Sequence, residues 1–332
     1  MYDFEPREVM RFIKRHKVKR AAIQLPAGLR PHLPEIKGTF EEAGAEALIL
    51  ADSCYGACDL ADVKAKQLGC DALVHYGHSD MGLRTSLPTL YVEARMVTDP
   101  LRAVEKALPE LNFKRLGLAT TVQHIGFLPK IAKLLRSRGI KPLVGKPGIR
   151  AKYPGQILGC DWGAVKSVSD EVDGFLYIGT GRFHPLGVSL ATGKDVMMAN
   201  PLAGDYEMLT SSAGDFLSWR RAMVSRATAC ERFGILVSVK PGQARFKLAA
   251  RLVDDFKRAG LTAHMLVLDE ISPEKLDDFK LEAFVCAACP RIPIDDAERF
   301  SQPILTPFEA RSMLGKGRFE PYQLDEVQPS DF

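Results

Sequence analysis

One pattern occurs three times along this chain and restricts its fold more than any other feature: an apolar run, a turn, a helical segment, a glycine and a second apolar run. In the first copy Arg20-Ala21-Ala22-Ile23-Gln24-Leu25 leads through Pro26-Ala27-Gly28 into a helical stretch that stops at Gly44, and Ala45–Leu50 follows. In the second, Leu116–Thr120 is followed by a helical stretch over Ile125–Arg138, by Gly139 and by Lys141–Val144. The third runs from Phe233–Val237 through a Pro-Gly turn to a helix from about Ala244, then Gly260 and His264–Leu268. A glycine just past a helix supplies the left-handed C-cap that residues with a Cβ adopt at a cost. Each copy continues into a further helix and strand, at Asp71–His75, Gly174–Ile178 and Glu282–Cys286. Buried strands separated by helices of this length predict right-handed βαβ units. The expected fold is therefore α/β: three similar small Rossmann-like domains with parallel sheets, over residues 1–100, 101–207 and 208–332, related as a pseudo-threefold internal triplication. A pair of ordinary doubly wound domains is the alternative. Recurrence at similar internal lengths favours three.

Composition narrows the partners. The 332 residues are 46% hydrophobic and 26% charged, an ordinary globular balance. The net charge is +4, spread without a Lys/Arg block, which argues against nucleic acid as the main partner. The basic amphipathic stretch Val9–Lys19 lacks the apolar core of a signal peptide, and no apolar run approaches the ~20 residues of a membrane span. These features predict a cytoplasmic protein without membrane contact. In a reducing compartment its seven cysteines are better explained by metal, catalysis or burial than by disulfides.

Three of those cysteines sit in small-residue loops: Cys58 in Tyr55-Gly56-Ala57-Cys58, Cys160 in Leu158-Gly159-Cys160-Asp161, and Cys289 in Ala288-Cys289-Pro290-Arg291. Ligands of open α/β sheets collect at the carboxyl ends of strands. Cys58 and Cys160 follow the second strands of their units, whereas Cys289 follows the third strand, so the repeat is imperfect at the site itself. Three thiolates brought together would hold an iron–sulfur cluster or zinc and leave one position open for a substrate. The alternative is a structural zinc site from Cys54, Cys58, Cys286 and Cys289, which would leave Cys160 without a purpose. Cys70, just before an apolar strand, reads as a buried small hydrophobe, and Cys230 as incidental. The Cys-x3-Cys-x2-Cys signature of radical enzymes is absent, because Ala61 stands where its third cysteine belongs.

Asp52-Ser53-Cys54-Tyr55-Gly56-Ala57-Cys58-Asp59, His75-Tyr76-Gly77-His78-Ser79, Leu158-Gly159-Cys160 and Ala288-Cys289-Pro290-Arg291 together resemble one family, as does Gln24-Leu25-Pro26-Ala27-Gly28-Leu29. It is the archaeal form of the first enzyme of diphthamide biosynthesis, 2-(3-amino-3-carboxypropyl)histidine synthase. The resemblance implies three related domains around a central [4Fe-4S] cluster, with Cys58, Cys160 and Cys289 as its ligands and one iron free for S-adenosylmethionine. It also implies a radical mechanism: cleavage of the Cγ,Met–S bond and transfer of a 3-amino-3-carboxypropyl group to C2 of a histidine of elongation factor 2. An electron donor and a homodimer are implied as well. Cys54 and Cys286 each leave a one-turn ambiguity about which neighbour ligates.

Further residues are expected to line such a pocket. Backbone amides of Gly56, Ala57 and Gly159, beside Tyr55, could donate to sulfur. Arg291, next to Cys289, could grip the methionine carboxylate bidentately or form a surface ion pair. Two Gly-containing loops, Ile178–Pro185 after what reads as the last strand of the second unit and Ser238–Gln243 after the first strand of the third, offer Thr180, Gly181, His184, Ser238, Lys240 and Gln243 for cofactor binding. His75, His78, His124 and His184 all fall near strand ends and suggest a polar pocket, though none is assigned to proton removal. Two other functions compete: a zinc-stapled, non-catalytic binding module, and a dehydratase resembling quinolinate synthase, whose motifs this chain lacks.

Overall fold

The computed structural model describes residues 2–209 and 212–332, with the backbone alone at 212–213. Met1 of the first expected unit and residues 210–211 of the third lie outside the described residues.

Three larger sheets carry the fold. The first has the strands Glu46–Leu50, Arg20–Gln24, Ala72–Tyr76 and Thr89–Val92 side by side, all parallel. The second places Lys141–Val144 beside Arg115–Thr120, Gly174–Ile178 and Val196–Asn200, again parallel, and adds Asp205–Leu209 antiparallel at its edge. The third runs Thr262–Leu268, Arg232–Ser238, Ala283–Cys286, Ile304–Leu305, all parallel. Numbered within its own sheet, each therefore has the order second, first, third, fourth. Gly44, Gly139 and Gly260 take φ of 73°, 76° and 81° directly after their helices, the left-handed conformation expected of them.

The helices form where the apolar spacing demands. Phe246–Arg258 buries Leu248, Ala249, Leu252 and Phe256 on one face. Phe256 meets Phe233 of the central strand at 4.6 Å between ring centres, and burying such a ring stabilises the unit by about 1.5–3 kcal/mol. The second helical stretch divides instead: a 3-10 segment, Val122–Phe127, precedes the α-helix Leu128–Ser137. Pro129 stands in the first turn of that helix, where its missing N–H costs nothing.

One expectation is corrected. Gly174–Ile178 is not the last strand of its unit, since Val196–Asn200 and Asp205–Leu209 follow it. Val-Met-Met-Ala-Asn has one β-branched residue and none of the aromatic rings of its neighbour Gly174–Ile178, so its strand character owes more to pairing with Phe175–Ile178 than to propensity. Each sheet is covered by its own apolar clusters, the first drawn from Phe4 to Ala94, the second from Ala103 to Leu209, the third from Ala227 to Ala310. Between the first two units, buried Glu93 accepts from Arg95, Lys152 and Tyr153. Among the described residues no helix is long and apolar enough to cross a membrane.

Candidate metal and substrate site

Loops from the carboxyl ends of all three sheets close around one cavity of about 440 Å³. Cys58, Cys160 and Cys289 all line it. Cys58 is held by the third unit: the Gly242 N–H donates to its carbonyl (2.8 Å), and Gln243 Nε2 donates to its Sγ (3.3 Å). A Cβ on Gly242 would lie 2.6 Å from both Cα and Cβ of Cys58, so only glycine permits this approach.

Cys160 stands in a turn closed by Leu158 and Asp161, which exchange backbone hydrogen bonds at 3.0 and 3.1 Å. The Asp161 carboxylate accepts from the backbone N–H groups of Arg150 (2.7 Å), Ala151 (3.0 Å) and Gly163 (2.9 Å), which fixes the loop. Arg150 then reaches across: Nη1 donates to Cys160 Sγ (3.4 Å) and Nη2 to the Gly242 carbonyl (2.9 Å). The Val327 N–H donates to the Cys160 carbonyl from the other side (3.1 Å). Cys289 follows the strand Ala283–Cys286, and its carbonyl accepts from the Ile292 N–H (3.2 Å).

Burial pushes the Cys58 thiol up and those of Cys160 and Cys289 to about 12, with the other cavity thiols adding repulsion at Cys160 and Cys289. Three mutually repelling, desolvated sulfurs stay protonated unless a cation compensates them. Two of them already receive N–H donors, as ligand sulfurs of clusters do. The donor set thus fits a thiolate-ligated iron–sulfur group.

The neighbouring cysteines point elsewhere. Cys286 is packed in the third core with Leu236 and Phe284, and Cys54 is buried beside His75 and His78. The four-cysteine zinc arrangement is therefore not formed. A single zinc ion needs its sulfur ligands within about 4 Å of each other. Among the described residues the set with all ligand atoms inside 4.8 Å is Cys54, His75 and His78, not the cavity thiols.

The other expected residues divide. Tyr55, Gly56, Ala57, His184, Ser238, Lys240, Gln243 and Arg291 line the cavity. Thr180 and Gly181 do not: both are exposed, and Gly181, at φ 74°, turns the chain into the helix Phe183–Thr192 that brings His184 to the wall. Burial lowers His184 to about 3, and its ring stacks on Tyr177 at 5.9 Å. Lys240 pairs with Asp59 (2.7 Å), and Tyr55 donates to Glu270 (2.6 Å), so both fasten the Cys58 loop to the third unit. Ser238 donates to the Asp269 carbonyl (3.0 Å). Arg291 lies over the Phe183 ring (4.6 Å), and its Nε donates to Asp295 (2.7 Å). It lines the cavity as half of an ion pair. His124 is not among the lining residues; it is buried, and its Nδ1 has no partner among the described residues.

Sequence reasoning missed Arg150, Asp161, Gln123, Gln156 and Glu270. Asp269-Glu270 directly follows the second strand of the third unit, the position held by the cysteine loops in the other two, and that equivalence was the available signal. Gln123 donates to the Gly77 carbonyl (2.7 Å) and Gln156 to Ser79 Oγ (2.8 Å), tying the second unit to the His75–His78 segment.

Comparison with known proteins identifies the family. Residues 25–323 match the model of the family described as "Putative diphthamide synthesis protein". The chain is 37% identical to 2-(3-amino-3-carboxypropyl)histidine synthase of Pyrococcus horikoshii, covering 98% of this chain and 94% of that one. It is 30% identical to subunit 1 of the same synthase in Eremothecium gossypii, over 96% of this chain and 76% of the relative. The crystal structure of Dph2 from Pyrococcus horikoshii with a 4Fe-4S cluster superposes with a TM-score of 0.92 at 36% identity, over 98% of this chain and 95% of that one. By the extent of these matches, the chain belongs to the diphthamide synthesis protein family.

Proposed function

We propose that this chain is a 2-(3-amino-3-carboxypropyl)histidine synthase, built of three units over residues 1–100, 101–207 and 208–332. The observation that carries the reading is that one thiol from each unit, Cys58, Cys160 and Cys289, faces a single cavity. These three would hold a [4Fe-4S] cluster, which when bound supplies the electron for reductive cleavage of the sulfonium of S-adenosylmethionine. The reading extends to cleavage at the Cγ,Met–S bond and to transfer onto C2 of a histidine of elongation factor 2. It includes an electron donor, a homodimer and a cytoplasmic location.

The chain's own residues have defined tasks in this scheme. Gln243 and Arg150 donate to the ligand sulfurs, stabilising their negative charge. Asp59, Lys240, Tyr55 and Glu270 fasten the Cys58 loop to the third unit. The cavity of about 440 Å³ is within the range of small-molecule sites, ~300–1,000 Å³. The His184 ring, stacked on Tyr177, is the aromatic group of the second unit that lines this cavity.

Protein reconstituted anaerobically and reduced with dithionite should convert S-adenosylmethionine to methylthioadenosine. With elongation factor 2 present, mass spectrometry should place one aminocarboxypropyl group on one histidine. 5′-Deoxyadenosine as the main product would overturn the choice of bond.

Arg291 offers a graded test of the binding mode. Its side chain is half exposed and already paired with Asp295, so a contact to the methionine carboxylate would be partly screened. Arg291→Lys should weaken S-adenosylmethionine by about 1 kcal/mol, since Lys lacks the planar fork. Unchanged affinity by titration, with the iron content intact, would restrict Arg291 to its ion pair.

A further inference from the structure

The His75-Tyr76-Gly77-His78 segment forms a hydrogen-bonded chain whose proton positions are fixed from its inner end. Gln24 Nε2 donates to the Asp59 carbonyl (2.5 Å), and Gln24 Oε1 accepts from the Ala61 N–H (3.2 Å). A backbone carbonyl can only accept and a backbone N–H can only donate, so the amide has one orientation. Its Oε1 lies 2.9 Å from His75 Nδ1, and that nitrogen must therefore carry a proton. His75 is fully buried, which disfavours its charged form, so its Nε2 is bare. His78 Nδ1 stands 3.0 Å from this bare nitrogen and must donate to it. Burial also holds His78 neutral, lowering it to about 4 against the opposing pull of the Tyr76 carbonyl. The one remaining nitrogen, His78 Nε2, is left with a lone pair and no hydrogen-bond partner among the described residues, on a residue that lines the cavity.

We propose that His78 Nε2 is the base that removes the C2 proton of the target imidazole, with His75 and Gln24 as positioning residues that fix its tautomer. The inference rests on the function proposed above. A new C–C bond from the aminocarboxypropyl carbon to C2 leaves C2 tetrahedral, still carrying its hydrogen, and one unpaired electron on the ring. That electron returns to a one-electron acceptor, by class an oxidised iron–sulfur centre, which balances the electron consumed when the sulfonium was cleaved. The resulting cation loses its C2 proton to His78 Nε2 and regains aromaticity. Because the proton leaves a cation, a weak base suffices, and His78 passes it on to solvent.

Two measurements test the proposal. In the holoenzyme labelled with ¹⁵N-histidine, the His78 ring should show a protonated Nδ1 and a bare Nε2. A protonated Nε2 would overturn the proposal and leave His78 Nδ1 free to hold a metal with Cys54 and His75. In turnover, the ratio of modified histidine to methylthioadenosine should fall on the order of 100-fold in His78→Gln, within the usual contribution of a general base. In His78→Ala, 2-methylimidazole, whose own C2 is blocked, should restore part of that ratio. An unchanged ratio in His78→Gln would remove the catalytic role. If the parent protein forms neither product, the proposed function fails, while the tautomer remains measurable.

Discussion

Cys160→Ala should lose most of the iron that the parent protein takes up on anaerobic reconstitution, and with it all aminocarboxypropyl transfer. Two thiolates are too few to retain a cubane against solvent and chelators. The fold should survive the change, because the Cys160 loop is fixed by the Asp161 carboxylate and by backbone contacts, not by the thiol. Iron assay, absorbance near ~400 nm and a thermal melt separate the two effects. Cys230→Ala is the matching control: its thiol donates to the Arg226 and Glu282 carbonyls and packs against the third core, at the amino end of the central strand. Full iron content in Cys160→Ala would remove Cys160 from the ligand set.

Glu309→Ala should be the most damaging change away from the cavity, at about 3–5 kcal/mol. Arg220 and Glu309 are both fully buried, and the guanidinium donates to both carboxylate oxygens, through Nε at 2.6 Å and Nη2 at 2.5 Å. Arg220 also donates to the carbonyls of Pro293 (2.6 Å) and Ile304 (2.9 Å), so it braces the segment just beyond Cys289. Removing the carboxylate strands a charge in the third core and breaks the capping box with Thr306. The melting midpoint should drop by on the order of 10 °C, whereas Glu309→Gln, which keeps an acceptor, should lose less. A drop of only a degree or two in Glu309→Ala would mean that water reaches Arg220.

The parts of this architecture that sequence made legible are those that local chemistry dictates. Runs such as Leu116–Thr120 and Phe233–Val237 are buried strands by composition, and Gly44, Gly139 and Gly260 stop their helices for steric reasons. The three cysteine loops were visible because small residues beside a thiol at a strand end serve little packing purpose. The fourth strands were not. Ile304–Leu305 is two residues long and is defined only by pairing with Phe284 and Val285. Arg150 was equally hidden: its partner Gly242 lies 92 residues away, and nothing near Arg150 in sequence announces that contact. Thr180 illustrates the converse, a glycine-flanked polar residue that matches a binding loop in pattern yet stands exposed.

The segment around Asp325–Asp331 shapes how this protein is made. Arg245 is buried between Asp325 and Asp331, with Nη1 donating to Asp325 at 2.5 Å and Nε donating to Asp331 at 3.0 Å. Between those two anchors, Glu326 accepts from the Trp162 N–H (2.9 Å) and the Val327 N–H reaches the Cys160 carbonyl (3.1 Å). A ribosome therefore delivers all three thiols before it delivers the residues that brace the Cys160 turn from outside. During elongation the Cys160 turn has its local closure by Leu158 and Asp161 but not this outer brace. The wall behind Cys160 is therefore complete only once translation has passed Val327.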